Sequence, residues 1–344
     1  MSEFVSCNCI EHEVVLDLKN TVRHCSNHNH NFGGRPLIYD YFDGSELTKE
    51  DFFRRKWEFR KIFREGNVPE PCRECIHLIK KNWSDDNFIN FILLTPWSEC
   101  NSSCIYCPSV RDEDILHNTK KYDVYSVVKY MMENDFFIPE TIFDFAGGEP
   151  TLYERFDDIL KLIFEKGYKN VVIHTNGIKF SPMIAKLLNH DKCKVVISID
   201  SGNREIYKKI KQVDKFYTVR ETLRKYSMAQ AQKKNALRVK YILNPSINDG
   251  NENITEFLDM CQSMGIKSVI LNLDFNWIEK NTELARKQKD LPRSAENTTL
   301  KLYDLIDFTK TEARKRGITT SLYGEICTLK SIVEGYVEEN IIEE

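Results

Sequence analysis

The stretch FILLTPWSECNSSCIYC, residues 91–107, decides how the rest of the chain is read. Its apolar opening, Phe91-Ile92-Leu93-Leu94, has the length and composition of a buried strand. Three cysteines follow at once, Cys100, Cys104 and Cys107, in the spacing Cys-x3-Cys-x2-Cys. A structural zinc site closes with four protein ligands, whereas three leave a coordination position open for chemistry. No fourth cysteine lies nearby, the next being Cys193. The loop therefore reads as an open metal site, with thiolate ligation of an iron–sulfur cluster favoured and zinc as the alternative.

Composition bounds the remaining classes. At 344 residues the chain exceeds one typical domain, so a large domain with a smaller companion is expected. Its 52 acidic and 49 basic residues nearly cancel, for a formal net charge of -3. That balance offers no electrostatic footprint for nucleic acid or for an anionic membrane. The sequence holds no 18-residue apolar run, and MSEFVSCNC lacks the charged and apolar regions of a secretory leader. A soluble, cytoplasmic protein is expected. Eleven cysteines, an odd number concentrated in two tight groups, fit metal ligation better than a disulfide framework.

The first ninety residues have a texture of their own. Val14 to Leu18, the turn Lys19-Asn20 and Thr21-Val22-Arg23 read as a hairpin, with Cys7 and Cys9 before it and Cys25 after it. The loop SNHNHNFGGRP follows, and its histidines, with His24, are alternative ligands. A helical pattern then runs from Lys49 to Glu65, rich in aromatics, and stops before Gly66-Asn67. Beyond it stand Cys72 and Cys75. A hairpin with cysteine ends, a helix and a Cys-x2-Cys knuckle describe a small metal-stapled domain over residues 1–86. Only one of Cys7 and Cys9 is needed beside Cys25, Cys72 and Cys75 to complete four ligands.

From Asn87 the pattern alternates. Strands are expected at 89–94, 141–146, 170–175, 193–199, 236–243, 268–274 and 318–323, with helices at about 121–134, 154–167, 181–190, 204–232, 253–264 and 295–316. Alternation of this kind calls for a parallel sheet with helical crossovers, and this many units suggest a full or partial barrel over 87–344. In such folds the chemistry sits at the carboxyl ends of the strands. There the sequence places the three-cysteine loop, then Gly147-Gly148-Glu149-Pro150, His174-Thr175-Asn176-Gly177 and Ser198-Ile199-Asp200-Ser201-Gly202. Each of the last three admits a plain turn reading, but their recurrence around a three-thiolate loop argues for a site.

The Cys-x3-Cys-x2-Cys loop with Tyr106 before its last cysteine, followed by Gly147-Gly148-Glu149-Pro150 on the second strand, resembles the radical S-adenosylmethionine superfamily over residues 88–275. The resemblance implies a partial (β/α)6 TIM-like barrel. It also implies a 4Fe-4S cluster on Cys100, Cys104 and Cys107, with S-adenosylmethionine chelating the fourth iron. Gly147, Gly148 and Glu149 would meet the methionine amino group. Thr175, Asn176, Ser198, Asp200, Lys240 and Asn244 would line the ribose and carboxylate, and Tyr106 would lie near the adenine. Reductive cleavage would give a 5'-deoxyadenosyl radical that takes a hydrogen atom from substrate, with a reductant such as flavodoxin or ferredoxin as partner.

The N-terminal region resembles the SPASM or Twitch auxiliary-cluster domain, although in that family it usually follows the barrel. The resemblance implies one auxiliary 4Fe-4S cluster on Cys25, Cys72, Cys75 and either Cys7, which is favoured, or Cys9. Closed by four thiolates, such a cluster suits electron transfer, which points to dehydrogenation, with epimerisation as the alternative. An epimerase needs a hydrogen donor. Among the spare thiols Cys193 starts a strand, Cys261 lies in an apolar helical pattern, and Cys327 alone follows the last strand. Asn272 and Asp274, alternating with Leu271 and Leu273, are candidate substrate contacts, with Phe275, Trp277, Tyr323 and Glu325 behind them. The charged segment 280–296 reads as a loop or lid. The expected substrate is a polar small molecule such as a sugar, with a ribosomally made peptide close behind.

Overall fold

A computed structural model describes residues 3–26, 36–73, 75, 77–83, 85–107, 121–230, 235–274, 277 and 293–322. The chain divides into two compact units. The first comprises Met1–Cys100, Ser109–His174 and Ser181–Leu187, the second Asn101–Pro108, Thr175–Phe180 and Leu188–Glu344.

In the first unit the elements are β1 (Phe4–Ser6), α1 (Asn8–His12), β2 (Glu13–Leu16), β3 (Val22–Arg23), β4 (Leu37–Tyr39), α2 (Lys49–Arg64), α3 (Glu70–Arg73), β5 (Ile79–Lys81), β6 (Ile89–Leu94), α4 (Val124–Glu133), β7 (Phe137–Phe145), α5 (Phe156–Glu165), β8 (Asn170–Thr175) and α6 (Pro182–Asn189). Their main strands lie in the order β8-β7-β6-β2-β3-β4, parallel from β8 to β2 and antiparallel beyond it. β6 buries Ile92, Leu93 and Leu94 in succession, so both of its faces are covered there. Helix α4 buries Val124, Val127, Val128, Met131 and Met132, an i, i+3/i+4 stripe, and starts where the Asp123 carboxylate accepts from the Ser126 amide.

The N-terminal hairpin forms as the sequence suggests, turning through Leu18–Asn20 with Asn20 left-handed at φ 54°. It does not stand apart, however. β2 pairs in parallel with β6, Glu13 opposite Phe91 and Leu16 opposite Leu94, within the first unit. Two-stranded hairpins are marginal alone, and β2 gains a partner on each side.

The second unit holds β9 (Cys193–Ser198), α7 (Arg204–Lys211), α8 (Phe216–Ala229), β10 (Leu237–Leu243), α9 (Asn251–Ser263), β11 (Ser268–Leu273), α10 (Arg293–Lys315) and β12 (Thr319–Leu322). Its strands run parallel in the order β12-β11-β10-β9, each linked to the next through a helix. The single long helix expected over 204–232 is two helices. α7 stops because Gln212 turns left-handed at φ 56°, and Asp214 in the link holds the Arg204 guanidinium. Each unit is thus a mixed α/β structure on parallel strands. Among the described residues no helix is long and apolar enough to cross a membrane.

Candidate functional site

In the first unit, the strand pair β6–β7 leads directly to the segment before Cys100. The Trp97 indole donates to the Ala146 carbonyl at 2.6 Å, the Gly148 amide donates to the Trp97 carbonyl at 3.2 Å and the Glu149 amide to the Glu99 carbonyl at 2.7 Å. Gly147 adopts φ +92°, and a Cβ on Gly148 would lie 2.5 Å from the Glu99 oxygen. Only glycine permits that approach. The backbone of Gly147–Glu149 and that of Trp97–Glu99 are therefore laced together immediately before the first cysteine. The buried Glu149 carboxylate accepts from the Thr151 amide and hydroxyl through Oε1, at 3.2 and 2.6 Å, and so starts the 3-10 turn Pro150–Leu152.

In the second unit, Asn101–Cys107 is pinned to α7. The Ser103 and Ile105 amides donate to the Lys211 and Ile210 carbonyls. Between Cys104 and Cys107, the buried Tyr106 hydroxyl donates to Asp200 Oδ2 and accepts from Lys211 Nζ, both at 2.6 Å, while Lys211 also pairs with Asp200 at 2.5 Å. Burial, with the Asp200 charge, holds the Tyr106 phenol well above its ordinary range, so it stays a donor. The other Asp200 oxygen accepts from the Ile242 amide at 2.8 Å, and its carbonyl accepts from Asn248. Asp200 is itself left-handed at φ 59°. Through these bonds Tyr106 and Asp200 tie the cysteine loop to the end of β9. Lys211 and Asn248, which complete this network, went unread. Lys211 carried a usable signal, for it lies one turn beyond Tyr207 on the buried ridge of α7.

The other strand-end residues cluster by register. Ser198 stands opposite Lys240, Lys240 opposite Ile270 and Ile242 opposite Asn272, so Ser198, Lys240 and Asn272 share the sheet face on which Ile242 packs with Tyr106. Asn176 donates to Asn101 at 2.6 Å, and Thr175 Oγ1 accepts from the Gly177 amide. The Asn244 amide group donates to the Ile242 carbonyl, and the Asn272 Oδ1 accepts from the Leu273 amide. That leaves Asn244 Oδ1 and Asn272 Nδ2 buried with no partner among the described residues. One acceptor just beyond β10 and one donor on β11 are thus left open. Asp274 is half-buried, its amide bonded to the Leu243 carbonyl. Cys193 is buried and burial pushes its thiol up to about 12; burial likewise raises the Cys261 thiol, so both are core residues. Cys327, Phe275, Tyr323 and Glu325 lie outside the described residues, as do His28 and His30.

A second group of thiols occupies the first unit. Cys9, Glu13 and Cys25 bring ligand atoms within 4.8 Å of one another, and Cys7 neighbours Cys9. Cys72 packs with Cys7 in one apolar cluster, and Cys7, Cys25 and Cys75 all raise its thiol, which burial pushes up to about 12. Beneath them α2 presents Lys56 and Arg60 on its buried face, with Arg60 ion-paired to the buried Glu11 carboxylate.

The family model of the Radical SAM superfamily matches residues 94–274, just over half the chain. The chain belongs to this superfamily. Enzymes of the superfamily use S-adenosylmethionine and a 4Fe-4S cluster, and the donor set here suits both. The sequence carries three thiols on one loop, Cys100, Cys104 and Cys107. Among similar proteins, the probable GTP 3',8-cyclase of Saccharolobus islandicus is 27% identical over 176 residues, 50% of this chain and 53% of that one. The GTP 3',8-cyclase of Aliarcobacter butzleri is 27% identical over 182 residues, with 52% and 53% covered. The chain spans about half the length of these relatives. The fold is similar to Streptococcus suis SuiB bound to S-adenosylmethionine, with a TM-score of 0.50 and 14% identity over 81% of this chain and 57% of SuiB.

Proposed function

We propose that this superfamily member oxidises a polar small molecule such as a sugar by hydrogen abstraction, with its N-terminal thiol group holding an auxiliary iron–sulfur cluster. Cys100, Cys104 and Cys107 would hold the catalytic cluster, and when bound with S-adenosylmethionine that cluster supplies a 5'-deoxyadenosyl radical. Gly147, Gly148 and Glu149 would receive the methionine amino group. Thr175, Asn176, Ser198, Asp200, Lys240 and Asn244 would seat the rest of the cofactor, with Tyr106 near its adenine, while the Tyr106–Asp200 bond holds the cysteine loop in place. Asn272 and Asp274 would orient the substrate. A partial (β/α)6 barrel over 87–344 and an auxiliary-cluster region over 1–86 belong to the same reading, with β2 as a strand shared between them.

The observation that carries the oxidation is the gathering of Cys7, Cys9, Cys25, Cys72 and Cys75 in one unit. Four of these thiolates would close a cluster coordinatively, and a closed cluster suits acceptance of the second electron that dehydrogenation releases. Epimerisation needs no such acceptor and would instead call on a thiol donor such as Cys327.

The test is anaerobic reconstitution followed by reduction with dithionite in the presence of S-adenosylmethionine and deuterated candidate substrates. The expected result is about eight irons per chain, two clusters of four, and deuterium in 5'-deoxyadenosine from a polar small molecule, with a product two hydrogens lighter. Deuterium transfer only from peptides would redirect the substrate class, and an isomeric product would replace oxidation by epimerisation. Absence of 5'-deoxyadenosine with both clusters intact would refute the reading outright.

A further inference from the structure

The group beneath the N-terminal thiols holds more charge than a structural role requires. Lys56 is 1% exposed, and its Nζ donates to the Ile10 carbonyl at 2.9 Å and the Glu13 carbonyl at 2.8 Å. These carbonyls end the five-residue helix α1 that carries Cys9, so one function of Lys56 is to satisfy them. A neutral amide donor would do the same without the cost of burying an ammonium. Among the described residues no carboxylate forms an ion pair with Lys56.

Two cations and two carboxylates share this group. Glu11 is committed to Arg60 and to the Ser6 hydroxyl, which donates at 2.6 Å. The Glu13 carboxylate turns the other way, accepting from the Ser26 amide and hydroxyl at 3.1 and 2.6 Å and standing beside Cys9 and Cys25. Lys56 and Arg60 are thus set against two carboxylates, Glu11 and Glu13, and burial pulls the Lys56 ammonium down to about 7 while Glu11, Glu13 and Cys7 favour its charged form. Thiolates on a metal centre would add negative charge beside Lys56 and favour its charged form.

We infer that Lys56 is a positioning and charge-compensating residue that sets the reduction potential of the N-terminal centre. The inference rests on the auxiliary cluster proposed above. A cluster held by four thiolates is a net anion that becomes more negative on reduction, so a cation fixed in the same buried group favours the reduced form and raises the potential. Glu11, from the opposite side of the balance, lowers it.

The experiment uses the full-length chain with Cys100, Cys104 and Cys107 replaced by alanine, so that only the N-terminal centre remains. It follows the one-electron midpoint by anaerobic redox titration monitored by electron paramagnetic resonance. Lys56→Met is expected to change the oxidised-to-reduced ratio at fixed potential at least tenfold toward the oxidised form, about 59 mV for a one-electron couple. Lys56→Arg should stay near the parent, and Glu11→Gln should move the midpoint upward. Capping of α1 alone predicts no such pair of opposite shifts. An unmoved midpoint in Lys56→Met with full iron content overturns the inference while leaving the cluster standing. Should Lys56→Met lose its iron, an unmoved midpoint in Glu11→Gln overturns it equally. Failure of the alanine parent to take up iron at all overturns the auxiliary cluster itself, whatever Lys56 does.

Discussion

Gly148→Ala tests how tightly the glycine segment is bound to the approach to Cys100. The new Cβ would meet the Glu99 oxygen at 2.5 Å and the Ser98 carbonyl carbon and oxygen at 2.9 Å, all backbone atoms that no rotamer change removes. Reaching the 3.4 Å of ordinary contact from 2.5 Å requires a displacement of about 0.9 Å. That movement breaks the 2.7 Å bond from the Glu149 amide to the Glu99 carbonyl and strains the 3.2 Å bond from Gly148 to Trp97. Loss of one hydrogen bond costs about 1 kcal/mol, and overpacking adds about 1–3 kcal/mol, for a total of about 2–4 kcal/mol. Gly167→Ala is the control, because its Cβ would meet nothing within 4 Å and only the left-handed backbone at φ +86° opposes it, at about 1–2 kcal/mol. Urea denaturation of the two variants gives the stability difference, and 5'-deoxyadenosine formation after reconstitution reads the site. Gly148→Ala should be the less stable and should slow cofactor cleavage at least tenfold, roughly the effect of a 1.4 kcal/mol loss of positioning. A Gly148→Ala variant no less stable than Gly167→Ala, with cleavage intact, would refute the argument that close approach fixes this glycine.

Three further outcomes follow from the same geometry. Replacing Cys104 with alanine should abolish 5'-deoxyadenosine formation and leave about four irons per chain on the N-terminal thiols, read by iron analysis. Lys211→Met should cost about 3–5 kcal/mol in urea denaturation by stranding the Asp200 carboxylate, which is 0% exposed, whereas Tyr106→Phe, which leaves the Lys211–Asp200 pair intact, should cost only about 1–3 kcal/mol. His12, buried and stacked on Phe88 at 4.3 Å, is pulled down to about 4 chiefly by burial, so it folds neutral. Between its ordinary value of about 6.5 and about 4, acid protonates the unfolded chain first, so stability falls with pH across that window by about 1–3 kcal/mol, and His12→Asn should flatten the profile.

Strand positions were legible because β6 is a short apolar run and β8 alternates buried with less buried residues, each bounded by turn residues. Residues 89–94 and 170–175 coincide with β6 and β8, and helix α2 begins at Lys49, where Thr48 caps it. The fate of β2 was not legible. Val14-Val15-Leu16 has the same apolar character whether it closes an isolated hairpin or joins a larger sheet, and only the pairing with β6 distinguishes them. The break at Gln212 carries no glycine or proline to announce it. The roles of Tyr106 and Asp200 depend on Lys211, a partner from a third element that periodicity alone does not match to them. Lys56 and Arg60, which fall on the ridge of Phe52 and Phe63 at helical spacing, also went unread.

The parallel pairing of β2 with β6 also bears on how the protein is made and handled. Val14 emerges from the ribosome well before its partner Ile92, so β6 acquires its neighbour only by closing a long loop back to the start of the chain. Shortening the chain from its N-terminus would strip β2 and bare the edge of β6. An apolar strand with unpaired amides and carbonyls is a template for self-association. The leading residues would then act as a built-in guard against aggregation, independent of any metal they bind.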